Sequence, residues 1–406
     1  MKKIVSIILT SLLLLSLIPS VSAEAPKSVV NLYYASDLDQ TFSATVAAYK
    51  EARPDVEVVV HQIPNDDYDD KLRVLMAGSP EELDVIWIRT PAQMKQYIGN
   101  DMLEALAPYT DASGVDLSII RETALKGAEN AEETAFFGLP LSGSCWLLFY
   151  NKEIFDEKGL EYPINITWDQ YRELAKQLTY EEDGKKVWGG VIPPWTMNLG
   201  ATSAGEYLND PAPLVRTEAY AQLLYDLYTG DKSHISIEEM ASGMWDAYAD
   251  FAAGNVAMTI NGDWTFRLLE TDVEYAAAPL PVFGDVPAGS SVGQHSYMCI
   301  SSASKNKQAA YDFIEFAVVS DTGTSIIART DVPSYATDAA LAVYKESVTT
   351  PGVEYRFTSR VLLEQDTAAN YAAINDDFMA ELQLYILGEQ DLRAAFDNFY
   401  ALRDEE

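Results

Sequence analysis

The chain has 406 residues, with 28 Lys and Arg against 62 Asp and Glu, a formal net charge of −34. So acidic a surface repels nucleic acid and anionic membrane, which excludes both as partners; otherwise the charge reads as solvated surface. The length suffices for two or three domains' worth of core.

Residues 1–23 read as a cleaved secretory leader. Lys2 and Lys3 precede an apolar run over 4–18, then Pro19 and the small-residue end Val21-Ser22-Ala23. The run is too short to favour a retained membrane span. Its removal takes two lysines and no acid, deepening the charge to −36. No cysteine lies near the cleavage point, so a free periplasmic or secreted protein is expected, not a lipid-anchored one. No later segment approaches membrane-spanning length, and the mature protein is expected to be soluble. Cys145 and Cys299 both lie in apolar, strand-like runs, and their spacing leaves open a disulfide or two buried free thiols.

The first hundred residues after the leader alternate strand and helix. An apolar strand is predicted over 29–35, and a helix over 41–53 carries Phe42, Val46 and Tyr49 on one face and stops before Pro54. A strand at 56–61, a helix at 68–76 and a continuously apolar strand at 83–88 follow. Unbroken apolarity marks a parallel strand covered on both faces, and βαβαβ with short crossovers implies a doubly wound α/β sheet. Ligands of such sheets bind beyond the carboxyl ends of the strands. The first such loop reads Ser36-Asp37-Leu38-Asp39-Gln40. It has no glycine to bare its N–H groups, so a phosphate-cradling turn is ruled out there. Ser36, Asp37 and Asp39 suit hydroxyl or ammonium donors, and each aspartate suits equally a cap on the following helix. Arg89 directly follows the third strand, where it can fork to ligand oxygens or pair with a surface acid.

Another apolar strand is predicted after Phe136, with Ser144 and Trp146 projecting from one face. Thr167 opens a helix containing Tyr171, Leu174, Ala175 and Leu178. Trp195 lies in the loop VIPPWTMN with no helical stripe to account for it. Further helices are expected around 220–228 and 238–253. The segment DFAAGNVAMTINGDW, residues 250–264, is the most informative in the chain. Met244, Trp245, Tyr248 and Phe251 form an apolar stripe, Gly254 suits a left-handed C-cap, and residues 256–260 alternate as a strand. Asn261-Gly262 is expected to turn the chain and Asp263 to cap a helix starting at Trp264. That sets a flat aromatic ring beside free N–H donors at a strand end, an arrangement for binding. A Pro/Gly-rich passage at 278–289, a strand at 297–301, a helix at 307–320 and a helical tail with Gly388 as a C-cap complete the chain. Trp87, Trp168, Trp188 and Trp245 sit in strands or helix faces and read as core. There is no internal repeat or low-complexity tract.

Read in order, AYKEARPDVEVVV, YDDKLRVLMAGSPEELDVIW, FGLPLSGSCWLLFYNKEIFDEKGL, FAAGNVAMTINGDW, PLP, SSASKNKQAAYDFIEFAV and ILGEQDLRAAFDNF resemble blocks of the extracellular solute-binding proteins of ABC importers, in particular the maltose-binding-protein-like sugar-binding group. The resemblance implies two α/β lobes, each with a doubly wound sheet and flanking helices, and solute held in the cleft between them. It implies a first lobe of 24–138 plus 266–320 and a second of 139–265 plus 321–406. Two departures are the lost proline before Thr167-Trp168 and the absent N-terminal lipid-anchor cysteine. It further implies a carbohydrate ligand, permease subunits as membrane partners, a monomer, and no cofactor, metal or chemistry. Sugars need flat rings for their C–H faces and paired polar groups for their hydroxyls. The resemblance places Trp264 as a stacking ring and Ser144 at a ligand-contact position, with Tyr335 in a contact loop. Asp263, Trp195, Arg89, Gln294 and His295 complete the candidates, with Ser36, Asp37 and Asp39. For Trp264 a core role stays open.

Two alternatives remain. One keeps the fold but binds a polyamine or glycerol phosphate; the lone cleft arginine disfavours phosphorylated ligands. The other is a secreted glycoside hydrolase. No carboxylate pair is singled out, the three histidines His61, His234 and His295 show no metal spacing, and Ala201-Thr-Ser-Ala-Gly205 lacks the first glycine of a nucleophile elbow.

Overall fold

The computed structural model describes residues 28–405 except 121, 131–133, 183, 237–239, 241–245, 247, 367 and 369. The leader lies outside the described residues, and so do Met244 and Trp245 of the stripe that continues through Tyr248 and Phe251. No helix among the described residues is long and apolar enough to cross a membrane.

Strands β1 (Ser28–Ala35), β2 (Val56–Ile63), β3 (Val85–Ile88) and β4 (Gly138–Gly143) belong to a six-stranded sheet. The chain then forms β5 (Trp146–Asn151), the hairpin β6 (Tyr180–Glu182) and β7 (Lys185–Val187), β8 (Met258–Gly262), β9 (Tyr275–Pro279), β10 (Ser290–Gly293), β11 (His295–Ile300), β12 (Val332–Pro333) and β13 (Arg360–Leu363). The large sheet runs β12-β4-β11-β3-β1-β2, with β1 parallel to β2 and β3, and β11 antiparallel to β3 and β4. All four residues of β3 are buried, as its unbroken apolarity predicts for a strand covered on both faces. The helices follow their predicted punctuation. Asp39–Ala52 ends before Pro54, Thr167 makes a full capping box with Gln170, and Gly254 and Gly388 take the left-handed conformation at helix ends.

The second sheet is β8-β5-β9, antiparallel throughout, with β10 and β13 pairing in parallel beside it. Among the described residues, other parallel pairing here is confined to single bridges such as Trp188 to Val256 and Val191 to Thr259, so the doubly wound pattern is complete only in the first sheet. Each sheet has its own core. One spans Val30 to Leu141 and Tyr297 to Ile327; the other spans Cys145 to Val292 and Tyr371 to Phe399. The return to the first core therefore falls after Gly293, not at 266. Strand β9 pairs with β5, which commits 269–292 to the second core.

The chain crosses between sheets at Ser144-Cys145, at Gln294, and between β12 and β13. The first two crossings are tied together. Ser144 N–H donates to the Gln294 carbonyl at 2.8 Å, and Gln294 N–H donates to Ser144 Oγ at 3.0 Å. The approach is so close that a Cβ on Gly293 would stand 2.0 Å from the Ser144 carbonyl oxygen. Both cysteines are free and buried, Cys145 at the first crossing and Cys299 against Met94 in the first core. Gly293→Ala forces the crossing strands apart; urea denaturation is expected to show a loss of about 1–3 kcal/mol, the usual cost of overpacking.

Candidate ligand-binding cleft

Between the sheets lies a cleft of about 810 Å³. Its floor is the first crossing. Asp263 and Arg356, 8% and 7% exposed at their side chains, form an ion pair there. Asp263 Oδ1 accepts the Cys145 N–H at 3.1 Å and Arg356 Nη2 donates to the Gly143 carbonyl at 2.7 Å, so the pair brackets residues 143–145 from both sides. Burial pushes the Asp263 carboxyl up to about 6, against the pull of Arg356 and the Cys145 N–H. Asp263 is thus not a helix cap: the short helix Thr265–Leu268 has no side-chain cap, and the carboxylate is spent on the crossing. Asn261 and Gly262 are not a turn either. They belong to β8 and pair with Leu147 and Trp146. Gly262 is needed because the Trp264 ring folds over it, where a Cβ would lie 2.1 Å from the ring.

Trp264 is half-buried and lines the cleft. The fully buried Trp146 meets it edge-on, with centroids 5.2 Å apart and planes at 82°. Trp146 Nε1 donates to Glu364 Oε2 at 2.6 Å, and burial pushes the Glu364 carboxyl up to about 7. Trp195, 52% exposed, stands in the cleft on the short turn Pro194–Thr196.

Arg267 spans the cleft. Its side chain, 7% exposed, donates through Nη1 to the Asp37 carbonyl; Nη2 lies 3.8 Å from Asp37 Oδ2 and Nε 3.2 Å from Asp331 Oδ2. Burial raises the Asp37 carboxyl above its ordinary range, while Arg267 and Arg89 pull it down. Arg89 reaches the same space but is held by Asp69 at 3.3 Å and Asn65 Oδ1 at 3.1 Å, and its guanidinium lies 5.0 Å from the Trp87 ring centroid.

Of the sequence-derived candidates, the cleft brings together Asp37, Arg89, Ser144, Trp195, Asp263, Trp264 and Gln294. Four lie elsewhere. Ser36 Oγ accepts the Asn65 N–H at 3.0 Å and so braces the loop that holds Arg89. Asp39 accepts from Tyr34 Oη at 2.8 Å and Ser43 Oγ at 3.1 Å, within the start of its helix. His295 Nδ1 lies 3.0 Å from Ser334 Oγ, with its ring against Gly143. Tyr335 is buried with Ile120 and Ala124. Asn65, Tyr248, Arg267, Glu364 and Asn375 also line the cleft without having been among the candidates, and Trp87, buried in the first core as its strand position implies, borders it as well. Arg267 had a readable signal, one helical turn beyond Trp264; Glu364 and Asn375 had none, because long-range packing brings them there.

Two α/β lobes joined by crossing strands around a cleft with aromatic walls define a solute receptor that captures its ligand between the lobes. The comparisons agree. The pattern of the bacterial extracellular solute-binding protein family matches residues 35–322, and the chain belongs to that family. An arabinooligosaccharide-binding protein of Halalkalibacterium halodurans is 24% identical over 300 residues, covering 69% of this chain and 64% of that relative. Among solved structures, the ABC substrate-binding protein Lmo0181 of Listeria monocytogenes in complex with cycloalternan superposes with TM-score 0.83 at 21% identity, over 93% of this chain and 99% of that one. Maltose-bound MalE3 of T. maritima superposes with TM-score 0.77 at 18% identity, over 93% and 100%. Both share the two-lobed fold.

Arg356→Met leaves Asp263 buried without its cation, a change that typically costs about 3–5 kcal/mol. The sign of its pH dependence follows from the carboxyl, whose folded-state pKa rises further without Arg356. The variant's stability is then lost as pH rises through that range, so its deficit against wild type is expected to be larger at neutral pH than in mild acid. Denaturation curves at several pH values measure this.

Proposed function

We propose that this protein is the extracytoplasmic receptor of an ABC importer, a monomer that captures an uncharged oligosaccharide in its cleft and delivers it to the permease without altering it. The observation that carries the reading is the half-buried Trp264, braced edge-on by Trp146, sharing one cleft of about 810 Å³ with Trp87 and Trp195. Flat rings of this kind take the apolar C–H faces of sugar rings, while the surrounding polar groups take the hydroxyls. The volume lies toward the upper end of small-molecule sites and leaves room for several sugar units. The cleft arginines are already paired, Arg89 with Asp69 and Arg267 with Asp37 and Asp331, so a phosphorylated solute finds no free cation among the described cleft residues. The arabinooligosaccharide-binding relative and the cycloalternan- and maltose-bound neighbours support the sugar class.

A polyamine is the second reading, favoured by the cleft carboxylates Asp66, Asp246 and Glu364. Thermal shift with maltotriose, mannotriose, arabinotriose, spermidine and glycerol phosphate separates the two. A ligand at a hundred times its Kd stabilises by about 2.7 kcal/mol, and a trisaccharide is expected to do so. Stabilisation by spermidine alone overturns the sugar reading. Trp264→Ala is expected to weaken the bound trisaccharide at least tenfold, about 1.4 kcal/mol, with circular dichroism unchanged; equal affinity by calorimetry removes the ring from the site.

A further inference from the structure

Glu364 follows β13 and lines the same cleft as Trp264. Its two oxygens have different fates. Oε2 accepts the Trp146 indole N–H at 2.6 Å. Oε1 makes no hydrogen bond to any described residue, yet it is not sealed from solvent. Trp146 touches both this carboxylate and the Trp264 ring, giving its N–H to one and packing perpendicular to the other. Among the described residues no lysine or arginine pairs with Glu364, and the titratable groups around it are Asp366, Tyr371 and Tyr207. A largely buried carboxylate with one oxygen satisfied and one open to a cleft is an acceptor with spare capacity.

We propose that Glu364 is the specificity-determining acceptor of the cleft: Oε1 takes a hydrogen bond from a hydroxyl of the sugar unit stacked on Trp264, while Oε2 fixes the Trp146 indole that braces that ring. The assignment rests on the glycan reading above. It selects units with a free hydroxyl at that position and rejects units carrying a carboxylate there, where like charges would meet. Because burial places the carboxyl at about 7, its charge changes across the neutral range. A hydrogen bond to the carboxylate is roughly twice as strong as one to a neutral acceptor, so affinity rises as pH rises and the proton leaves.

The test is calorimetric titration of wild type and Glu364→Gln with maltotriose, mannotriose and arabinotriose between about pH 5.5 and about pH 8.5. Glutamine keeps an acceptor for the Trp146 N–H but cannot ionise. Wild-type affinity for the tightest trisaccharide is expected to rise roughly tenfold across the range, with a midpoint near the Glu364 value. Glu364→Gln is expected to hold a flat, low affinity with unchanged tryptophan emission. Parallel pH profiles in the two proteins overturn the assignment while the glycan reading stands, and a flat wild-type profile overturns it without any variant. If no trisaccharide binds wild type at any pH, both readings fall together.

Discussion

The ion pair between Asp263 and Arg356 is the constraint on which the rest of the molecule hangs. The two lobes have separate cores and separate sheets, and the chain passes between them in strand crossings. At the first crossing the polypeptide leaves one ladder and enters another, and two side chains from outside β4 and β5 serve backbone groups at the break. Asp263 takes the Cys145 N–H and returns its own N–H to the Cys145 carbonyl, and Arg356 serves the Gly143 carbonyl. Each charge is satisfied by the other and by backbone, the condition under which buried ions are tolerated. Asp263 also lines the cleft. Lobe connection and ligand site are therefore one piece of structure.

Much of the fold was legible because it is local. The strand at β3, the helix start at Thr167 and the glycine ends at Gly254 and Gly388 each follow from a few neighbouring residues, and the structure shows them where the pattern put them. The misreadings share a cause. Asn261-Gly262 has the chemistry of a turn, but pairing with β5 holds it extended, and the glycine answers to a ring two residues on. Asp263 has the chemistry of a cap, but the crossing claims it. The boundary at 266 is one the resemblance implies, and nothing local in residues 266–292 announces that β9 pairs with β5.

The site was half legible for the same reason. Strand ends and loops that read as binding positions, such as Asp37, Arg89, Trp195 and Trp264, do converge on the cleft. What the sequence could not convey is who already holds them. Arg89 meets Asp69, the surface-acid pairing that its sequence left open beside ligand binding, and Asp37 meets Arg267, a partner that neither of its two sequence readings named. The surplus of acid is thus not only solvated surface; part of it fixes the cleft's few cations in place.

The way Trp264 lies on Gly262 has a geometric consequence. The indole lies against its own backbone at Gly262 and Trp146 stands perpendicular to it with centroids 5.2 Å apart, so only part of the ring's surface is open to a ligand. A solute can approach it only over that part. Asymmetry of that kind assigns a chain-like solute its orientation before any of its polar groups is recognised.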